Sequence, residues 1–338
     1  MAKLTYQAKL KLKKALKIAA IVLAVLLVLA VARFVYLGRY VVYGEGGAHL
    51  DYGTTLPVAA PTEDSQTAGQ FVLKSDAATS AEINLPAVGA LPRLDGTYLP
   101  LAALLEEPAV TDRVTGNAVL ADVKTGTGKF LYATALPDTE QSTMAPELGP
   151  RLTALAKTTG VTAVARLPAF RDSARALANM KDALPITGGA LWMDESGSYW
   201  LDPGADAVRE YLIDQAMELA RMGFEEIVFE DFSYPLSPNI VYEGDGVTAT
   251  REAARVIADA LNGKNIPVSF VSRDEEIMKL SARSFVTAGE DTLVSEVARK
   301  QLALLGGGEE RLVFLTNSHD TRFEQYSVLS PCENTERG

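Results

Sequence analysis

Short apolar segments alternate with amphipathic helical patterns through residues 94–330, and this alternation constrains the fold more than any other feature. The apolar segments have few polar interruptions, which is typical of parallel strands that are buried on both faces of a sheet. The apolar segments are at 97–101, 117–124, 161–167, 226–232, 267–272 and 311–316, and the helical patterns are at 150–159, 173–183, 203–222, 250–261 and 291–305.

The number of strands selects among the parallel α/β folds. Six or seven strands favour a (β/α)8-type TIM barrel over a doubly wound sheet, and no G-x-G-x-x-G motif opens any of the helices. From Asn317 onward the sequence reads as irregular. We therefore expect a barrel at 94–330 that is incomplete or atypical at its C-terminal end, followed by a tail at 331–338.

The helix before the 226–232 strand has the clearest terminal signals. Asp202 is expected to cap its N-terminus, with Pro203 at the first helical position. Gly223 follows the last apolar position and is expected to end the helix, because glycine readily adopts a left-handed backbone.

The N-terminal region reads as a membrane anchor. Six lysines between residues 3 and 17 precede an apolar run at 18–32, and this run resumes after Arg33 and reaches residue 37. That length is near the roughly 20 residues that a spanning helix needs, and Arg33 can extend its guanidinium to the membrane interface. We expect a cytoplasmic basic segment at 1–17, a transmembrane anchor at 18–38 and an extracytoplasmic spacer with short strands at 39–93.

The positions of the lysines set the expected topology. Because positive charge concentrates on the cytoplasmic side, the N-terminus would be cytoplasmic and the C-terminal domain extracellular in a single-pass cell-membrane protein. A cleaved signal peptide is the alternative, since Ala30-Val-Ala32 fits a small-residue cleavage site after a basic segment.

Composition excludes several classes of function. The chain has a net charge of −11, and the eight positive charges of residues 1–44 leave −19 for the rest, which makes nucleic-acid binding a poor interpretation. Two histidines, His49 and His319, are too few for a multi-histidine metal site and make a Ser-His-Asp triad improbable. Cys332 is the single cysteine, so an intramolecular disulfide is impossible, and a bacterial surface suits an extracellular chain that avoids cysteine.

Charged side chains follow the predicted strands where a parallel barrel gathers its reacting groups. These are Asp122, Lys124, Arg166, Glu230, Asp231, Arg273 and Asp274. Several carboxylates at one mouth, with aromatic residues nearby and no cofactor motif or metal cluster, are what a glycosidase requires. One carboxylic acid protonates the leaving oxygen, and a carboxylate stabilises or attacks the anomeric carbon. No cofactor and no metal are expected.

Alternation within the 226–232 strand assigns a direction to each acid. Val228 and Glu230 share one face, and Phe229 and Asp231 share the other. Since Phe229 belongs against the helices, Glu230 is expected to face the barrel axis and Asp231 to bond the following loop. Adjacent acids at a strand end are more often loop-capping residues than catalysts.

Both tryptophans of the chain lie in a predicted hairpin at 191–203. Trp192 and Trp200 would either stack on sugar rings or plug the end of the barrel, and Asp202 would either bind substrate or cap the helix. Lys124, Arg166 and Arg273 would either contact a ligand or pair with the mouth carboxylates.

Four blocks in this order resemble a family of bacterial proteins classed as glycoside hydrolases, which are expected to be TIM barrels and are often membrane-anchored. The blocks are Asn117-Ala-Val-Leu-Ala-Asp122-Val-Lys124 with Gly128 and Tyr132, Ala165-Arg166 with Phe170-Arg-Asp172, Trp192-x-Asp194 with Trp200-x-Asp202-Pro203, and Gly223-Phe-Glu-Glu-Ile227 with Phe229-Glu-Asp-Phe-Ser-Tyr-Pro235. The resemblance covers residues 90–275 and implies a glycan-facing mouth that includes Tyr234. The chain departs from the family at Glu230, where the family has Asp, and at Ser233, where it has Arg.

Two functions follow from these residues. The first is a glycoside hydrolase that acts on cell-wall or extracellular polysaccharide, including peptidoglycan-type glycan, with Glu230 as the leading carboxylate. Its partner would be Asp122 or an acid of the 274–276 segment. The alternative is a non-catalytic carbohydrate-binding or scaffolding pseudo-hydrolase, which the changes at Glu230 and Ser233 favour.

Overall fold

The computed structural model of the chain describes residues 41–44, 47–50 and 91–332. The contacts divide the chain into two units, Met1–Thr79 and Ser80–Gly338, which are described separately. In the first unit, β1 (Val41–Gly44) and β2 (Gly47–Leu50) form an antiparallel hairpin, where the sequence predicts a strand at 39–43. The predicted anchor at 18–38 lies outside the described residues. Within those residues, no helix has the length and apolar character needed to cross a bilayer.

The second unit is an eight-stranded parallel sheet that is rolled into a nearly closed barrel. Its strands are β3 (Asp95–Leu99), β4 (Ala118–Asp122), β7 (Thr162–Pro168), β8 (Glu226–Glu230), β9 (Val268–Phe270), β10 (Ser284–Thr287), β11 (Leu312–Leu315) and β12 (Ser327–Pro331). Their order in the sheet is β10-β11-β12-β3-β4-β7-β8-β9. A further pair, β5 (Lys129–Phe130) and β6 (Glu140–Gln141), lies outside this sheet.

Helices follow most of the barrel strands. They are α1 (Leu101–Glu106), α2 (Ala145–Ala156), α3 (Ser173–Ala178), α4 (Asp206–Met222), α5 (Gly246–Asn262), α6 (Glu275–Met278) and α7 (Val294–Leu305), with short 3-10 segments at Pro108–Arg113, Met180–Asp182 and Glu309–Arg311. The α/β alternation that the sequence predicts is therefore present.

Of the expectation that the C-terminal end is incomplete or atypical, the first part is wrong and the second is confirmed. Two strands that sequence patterns do not reveal, β10 and β12, bring the number to eight, and β12 pairs in parallel with β3 through Val328 and Asp95. The connection from β11 to β12 contains no helix, so the alternation that identified the other strands stops there. The region after Asn317, expected to be irregular, thus carries a strand of the barrel wall.

Alternate side chains of each strand fill two separate apolar layers. The barrel interior includes Leu120, Val164, Val228, Val313 and Leu329. The residues between them pack outward against the helices, as Phe229 and Ile227 do. This alternation fixes which residues at the ends of the strands face the barrel mouth.

The start of α4 corrects a predicted cap. The helix begins at Asp206, and its N-cap residue is Ala205, not Asp202. The Asp202 carboxylate instead accepts a hydrogen bond from the Gly204 N–H at 2.7 Å, which forms a tight turn before the helix. Gly223 ends the helix with a φ of 118°, as predicted.

Candidate active site at the barrel mouth

Two carboxylates from adjacent regions of the mouth contact one arginine. Arg166, near the end of β7, pairs through one terminal nitrogen with Glu230 Oε1 at 2.9 Å and through Nε with Asp122 Oδ1 at 3.3 Å. The second contact is an ion pair without hydrogen-bond alignment, since neither of its atoms has a hydrogen-bond partner. Because both carboxylates contact the same planar guanidinium group, their nearest oxygens lie within about 10 Å of one another.

Asp122 is the more enclosed of the two acids. Its Oδ2 accepts hydrogen bonds from the Leu101 N–H at 2.6 Å and from the Tyr98 hydroxyl at 3.3 Å. The Tyr98 ring also lies under the Arg166 guanidinium, 4.8 Å from its centroid. Burial raises the pKa of Asp122, although the charge of Arg166 opposes this effect. Asp122 is suited to positioning the guanidinium rather than to reaching a sugar.

Glu230 is half-buried and faces the barrel axis, as the strand alternation predicts. Burial raises the pKa of Glu230, the Arg166 charge lowers it, and the negative charge of Asp122 raises it again. A carboxyl whose pKa is shifted by burial and by specific charged partners is typical of catalytic sites.

Asp231 lies in the same cleft as Glu230, which corrects its predicted direction. The strand ends at Glu230, and Asp231 adopts a left-handed backbone with a φ of 50°. This backbone breaks the strict alternation of side chains, so Asp231 lines the cleft beside Glu230 rather than the helix-facing side. Burial raises the pKa of Asp231, and the nearby charge of Arg171 partly offsets the rise.

The cleft above these acids has a volume of about 780 Å³. Besides Glu230 and Asp231, its walls include Tyr234, Leu236 and Arg273. Its size lies within the roughly 300–1,000 Å³ that is usual for small-molecule sites. Leu236 is 88% exposed, so an apolar side chain stands free at the rim.

Tyr234 is held in place by a glycine. A Cβ atom on Gly246 would lie 2.3 Å from the Tyr234 ring, so only glycine leaves room for it. The ring also packs edge-to-face against Tyr242 at 5.2 Å between centroids. Tyr234, which is predicted to contact substrate, therefore lies in the wall of the cleft.

Arg171 and Asp194 form a part of the mouth that was not predicted as a site. Arg171 lines the cleft and pairs through Nε with Asp194 Oδ2 at 3.1 Å. Although burial opposes the change, hydrogen bonds from Ser196 and Trp200 help to lower the pKa of Asp194 to about 2. The signal was present in the sequence, since both residues belong to the blocks that carry the family resemblance.

The two tryptophans play unequal parts. Trp200 is only 9% exposed and donates from Nε1 to Asp194 Oδ2 at 2.8 Å, so it is a buried residue that positions Asp194. Trp192 is half-buried, donates to Ser237 Oγ at 3.2 Å and packs edge-to-face on Trp200. Of the pair, Trp192 retains more surface for contact with a ligand.

The structure does not support a substrate-binding role for Lys124. Its side chain has no exposed surface, and its amine pairs with Asp172 at 2.6 Å and donates to Gln215 Oε1 at 3.0 Å. The strand ends at Asp122, and the chain then folds back so that Lys124 bridges to Phe130. Lys124 therefore lies within the packed protein, where its charge is neutralised by Asp172.

Asp274 and Arg273 line the mouth cleft but differ in their partners. Both oxygens of Asp274 are engaged, one by the Glu276 N–H at 2.9 Å as the cap of α6 and the other by Arg251 at 2.8 Å. Arg273 is exposed and forms no ion pair within residues 91–332. Asp274, which is predicted to be catalytic, thus caps α6 and pairs with Arg251 in this structure.

Across the part of the chain that the structure describes, no group of three or more His, Cys, Asp or Glu side chains is placed to hold a metal ion. Paired carboxyl groups beside arginine side chains can perform general acid–base chemistry.

Comparison with known protein families supports the resemblance seen in the sequence. Residues 106–269 match the family described as "Putative glycosyl hydrolase domain". The matched range includes Asp122, Arg166, Glu230 and Asp231. This match supports a glycosidase role for the domain in general terms and leaves the substrate open. The curated proteins contain no match to the chain.

The chain is similar to parts of several solved structures. A hypothetical protein from Ruminiclostridium thermocellum is 21% identical, with 54% of this chain and 98% of that chain covered and a TM-score of 0.40. Ega3 from Aspergillus fumigatus, in complex with galactosamine, is 9% identical over 71% and 92% of the two chains, with a TM-score of 0.43. A GH36 alpha-galactosidase from Geobacillus stearothermophilus, in complex with stachyose, is 10% identical over 73% of this chain and 39% of that one, with a TM-score of 0.49.

Proposed function

We propose that this protein is a glycoside hydrolase that acts on cell-wall or extracellular polysaccharide, with Glu230 and Asp231 as its catalytic pair. The observation that carries the proposal is the placement of both acids in one cleft of about 780 Å³ at the C-terminal end of the barrel strands. This end is where TIM-barrel enzymes carry their reacting groups.

The surroundings of the two acids suggest different roles. Burial raises the pKa of Glu230, as it does that of Asp231, but Glu230 alone pairs with a guanidinium, that of Arg166, whose charge favours the carboxylate form that stabilises or attacks the anomeric carbon. Asp231 forms no ion pair with any described residue, and burial raises its pKa, which favours the protonated form. Asp231 would therefore give its proton to the leaving glycosidic oxygen, and Asp122 would hold Arg166 in position.

The test is turnover of a panel of wall-type and extracellular glycans by the full chain and by matched variants. Glu230→Gln and Asp231→Asn should each lower turnover by about 10²- to 10⁴-fold, because each removes a carboxyl group without changing the shape of the side chain. Glu210→Gln is the control, since Glu210 is an exposed acid on α4 that does not line the cleft. Equal turnover by wild type and Glu230→Gln would contradict the assignment of Glu230.

A second experiment addresses the course of the reaction. If Glu230 attacks the sugar, Glu230→Ala should regain product formation with azide, and the product should be a glycosyl azide. If Glu230 instead activates water, azide should not restore turnover.

The alternative is a pseudo-hydrolase that binds glycan without cleaving it. Two observations favour it, namely the direct pairing of Glu230 with Arg166 and the presence of Ser233 at the cleft wall where the related family has arginine. Arginine would provide a fixed two-pronged donor to a ligand, and serine cannot. Saturable binding of a glycan that is never cleaved would support this alternative.

The cell surface is the proposed site of action, and its support is the basic segment and apolar run at 1–38. In intact cells, the barrel should then be cleaved by an added protease while a cytoplasmic marker protein is spared. Protection of the barrel until the cells are lysed would contradict this location.

A further inference from the structure

The wall of the barrel opens between β9 and β10. β9 is joined to the segment 281–283, which directly precedes β10, and here the Ala282 N–H donates to the Val268 carbonyl at 2.8 Å. Two serine hydroxyls complete the seam, because Ser281 accepts from the Phe270 N–H and Ser269 accepts from the Arg283 N–H, each at 2.9 Å. Beyond this seam, no backbone hydrogen bond joins the two strands within residues 91–332.

A second cleft of about 380 Å³ lies at this opening. Its walls come from the end of β9, from β10, from α6 and from α7, and they include Phe285 and Lys300. Residues 271–273 line both this cleft and the cleft at the mouth. The two clefts are therefore neighbours that share one short segment, with Arg273 at the junction.

Two cations line the second cleft, and one of them, Arg273, also lines the mouth cleft. At the mouth, Arg166, Arg171 and Arg251 each pair with a carboxylate. Arg273 and Lys300 are exposed and form no ion pair with any residue in 91–332. The chain carries −19 beyond residue 44, and these two cations lie on the walls of one cleft.

The cleft also contains groups that limit what it can bind. Glu275 lines it and opposes a bound anion, whereas Gln301, held by a 3.0 Å contact with Ser284, offers an uncharged amide. Ammonium and guanidinium groups bind carboxylate and phosphate through charge-assisted hydrogen bonds, which are about twice as strong as neutral ones. The two cations outnumber the single acid, so the cleft suits one anionic group set among sugar hydroxyls.

We propose that the second cleft is a subsite for an acidic unit of a glycan chain whose neighbouring units occupy the mouth. The substrate class is then an elongated polysaccharide with carboxylate-bearing units. This inference rests on the proposed function, since it names the substrate of the same site. The sizes of the two clefts are compatible with it, because each exceeds the roughly 300 Å³ of a small-ligand site and so has room for part of a bound chain.

Binding to matched oligosaccharides tests the proposal on the full chain. The probes are a galacturonate hexamer and its uncharged methyl ester, and a carboxymethylated and a plain cello-oligosaccharide of equal length. At least one acidic probe should bind about tenfold more tightly than its neutral counterpart. Galacturonate monomer is a further probe, and it should bind much more weakly than the hexamer because it cannot span both clefts.

Two variants test whether the preference for acidic probes depends on the cations of the second cleft. Lys300→Gln and Arg273→Gln should each remove most of the preference for the acidic probe. Arg299→Gln is the matched control, because Arg299 is exposed on the same helix and next in the chain but does not line the cleft. An equal loss in Arg299→Gln would show a general charge effect and overturn the proposal.

The remaining outcomes separate this inference from the proposed function. If neither acidic probe binds better than its neutral counterpart, the subsite is refuted, while turnover of a neutral glycan would leave the hydrolase intact. If the acidic preference depends on Lys300 but no glycan is cleaved, the subsite stands and catalysis fails. If the monomer binds as tightly as the hexamer, the cleft holds a free acid, and the proposal of a spanning chain is wrong.

Discussion

Replacing Lys124 by methionine should destabilise the protein without acting on the chemistry at the mouth. The amine of Lys124 and the carboxylate of Asp172 are both fully buried and lie 2.6 Å apart. Methionine fills most of the same volume but leaves Asp172 as an uncompensated buried charge. Breaking a buried ion pair in this way costs about 3–5 kcal/mol, which corresponds to a fall in Tm of roughly 6–20 °C for a domain of this size.

The chain offers a matched control for this change. Lys129 pairs with Glu140 at 2.9 Å, but both of these side chains are about half exposed. Lys129→Met should therefore cost no more than about 1 kcal/mol, because solvent screens the pair and replaces the lost contact. The double variant Lys124→Met with Asp172→Asn should recover part of the loss, since it removes both charges of the pair.

Urea unfolding followed by circular dichroism measures these differences in the free energy of unfolding. The reasoning is refuted if Lys124→Met unfolds within about 1 kcal/mol of wild type, as the surface control is expected to do. It is also refuted if Lys124→Met keeps its stability but loses glycan binding. That second result would restore the substrate-binding role that the sequence suggested for Lys124.

Three further predictions concern the barrel seam, a glycine and the pH dependence of stability. Ser281→Ala should lower the free energy of unfolding by about 1–3 kcal/mol, because it leaves the buried Phe270 N–H without an acceptor, and urea unfolding measures this. Gly128→Ala should unfold at lower temperature in calorimetry, since its backbone has a φ of 92° and a Cβ there would lie 1.8 Å from Asp172 Oδ1. The free energy of unfolding of Asp231→Asn, measured relative to wild type, should increase as the pH rises above the usual carboxyl pKa of 3.8. Below that pH, the difference between the two proteins should no longer change with pH. The sign follows because a carboxyl with a raised pKa in the folded state loses stability when it ionises, and asparagine does not ionise.

Each of these three predictions has an outcome that contradicts it. Wild-type stability in Ser281→Ala would mean that the seam does not depend on the serine hydroxyl. An unchanged melting temperature in Gly128→Ala would mean that the loop around it shifts freely. A stability difference between Asp231→Asn and wild type that is constant from pH 3 to pH 8 would mean that the pKa of Asp231 is not raised.

Much of the mouth was predictable because its residues lie within regular strands. The period of two along β8 places Val228 inside the barrel and therefore Glu230 at the mouth, and the structure has both there. The same reasoning fails for Asp231 and Lys124, since both follow the last residue of a strand. Beyond that residue the backbone direction is free to change, and strand alternation no longer applies.

The sequence by itself determined the fold class and the region of the site, because buried strands between amphipathic helices have a pattern that a parallel sheet requires. It also placed Asp122, Arg166 and Glu230 at strand ends. Only the tertiary structure decided that β10 and β12 complete the barrel, since a short strand is recognised by its neighbours rather than by its own residues. It alone brought Arg171 and Asp231 into one cleft and enclosed Lys124, because these placements depend on backbone turns and on contacts between residues that are distant in the chain.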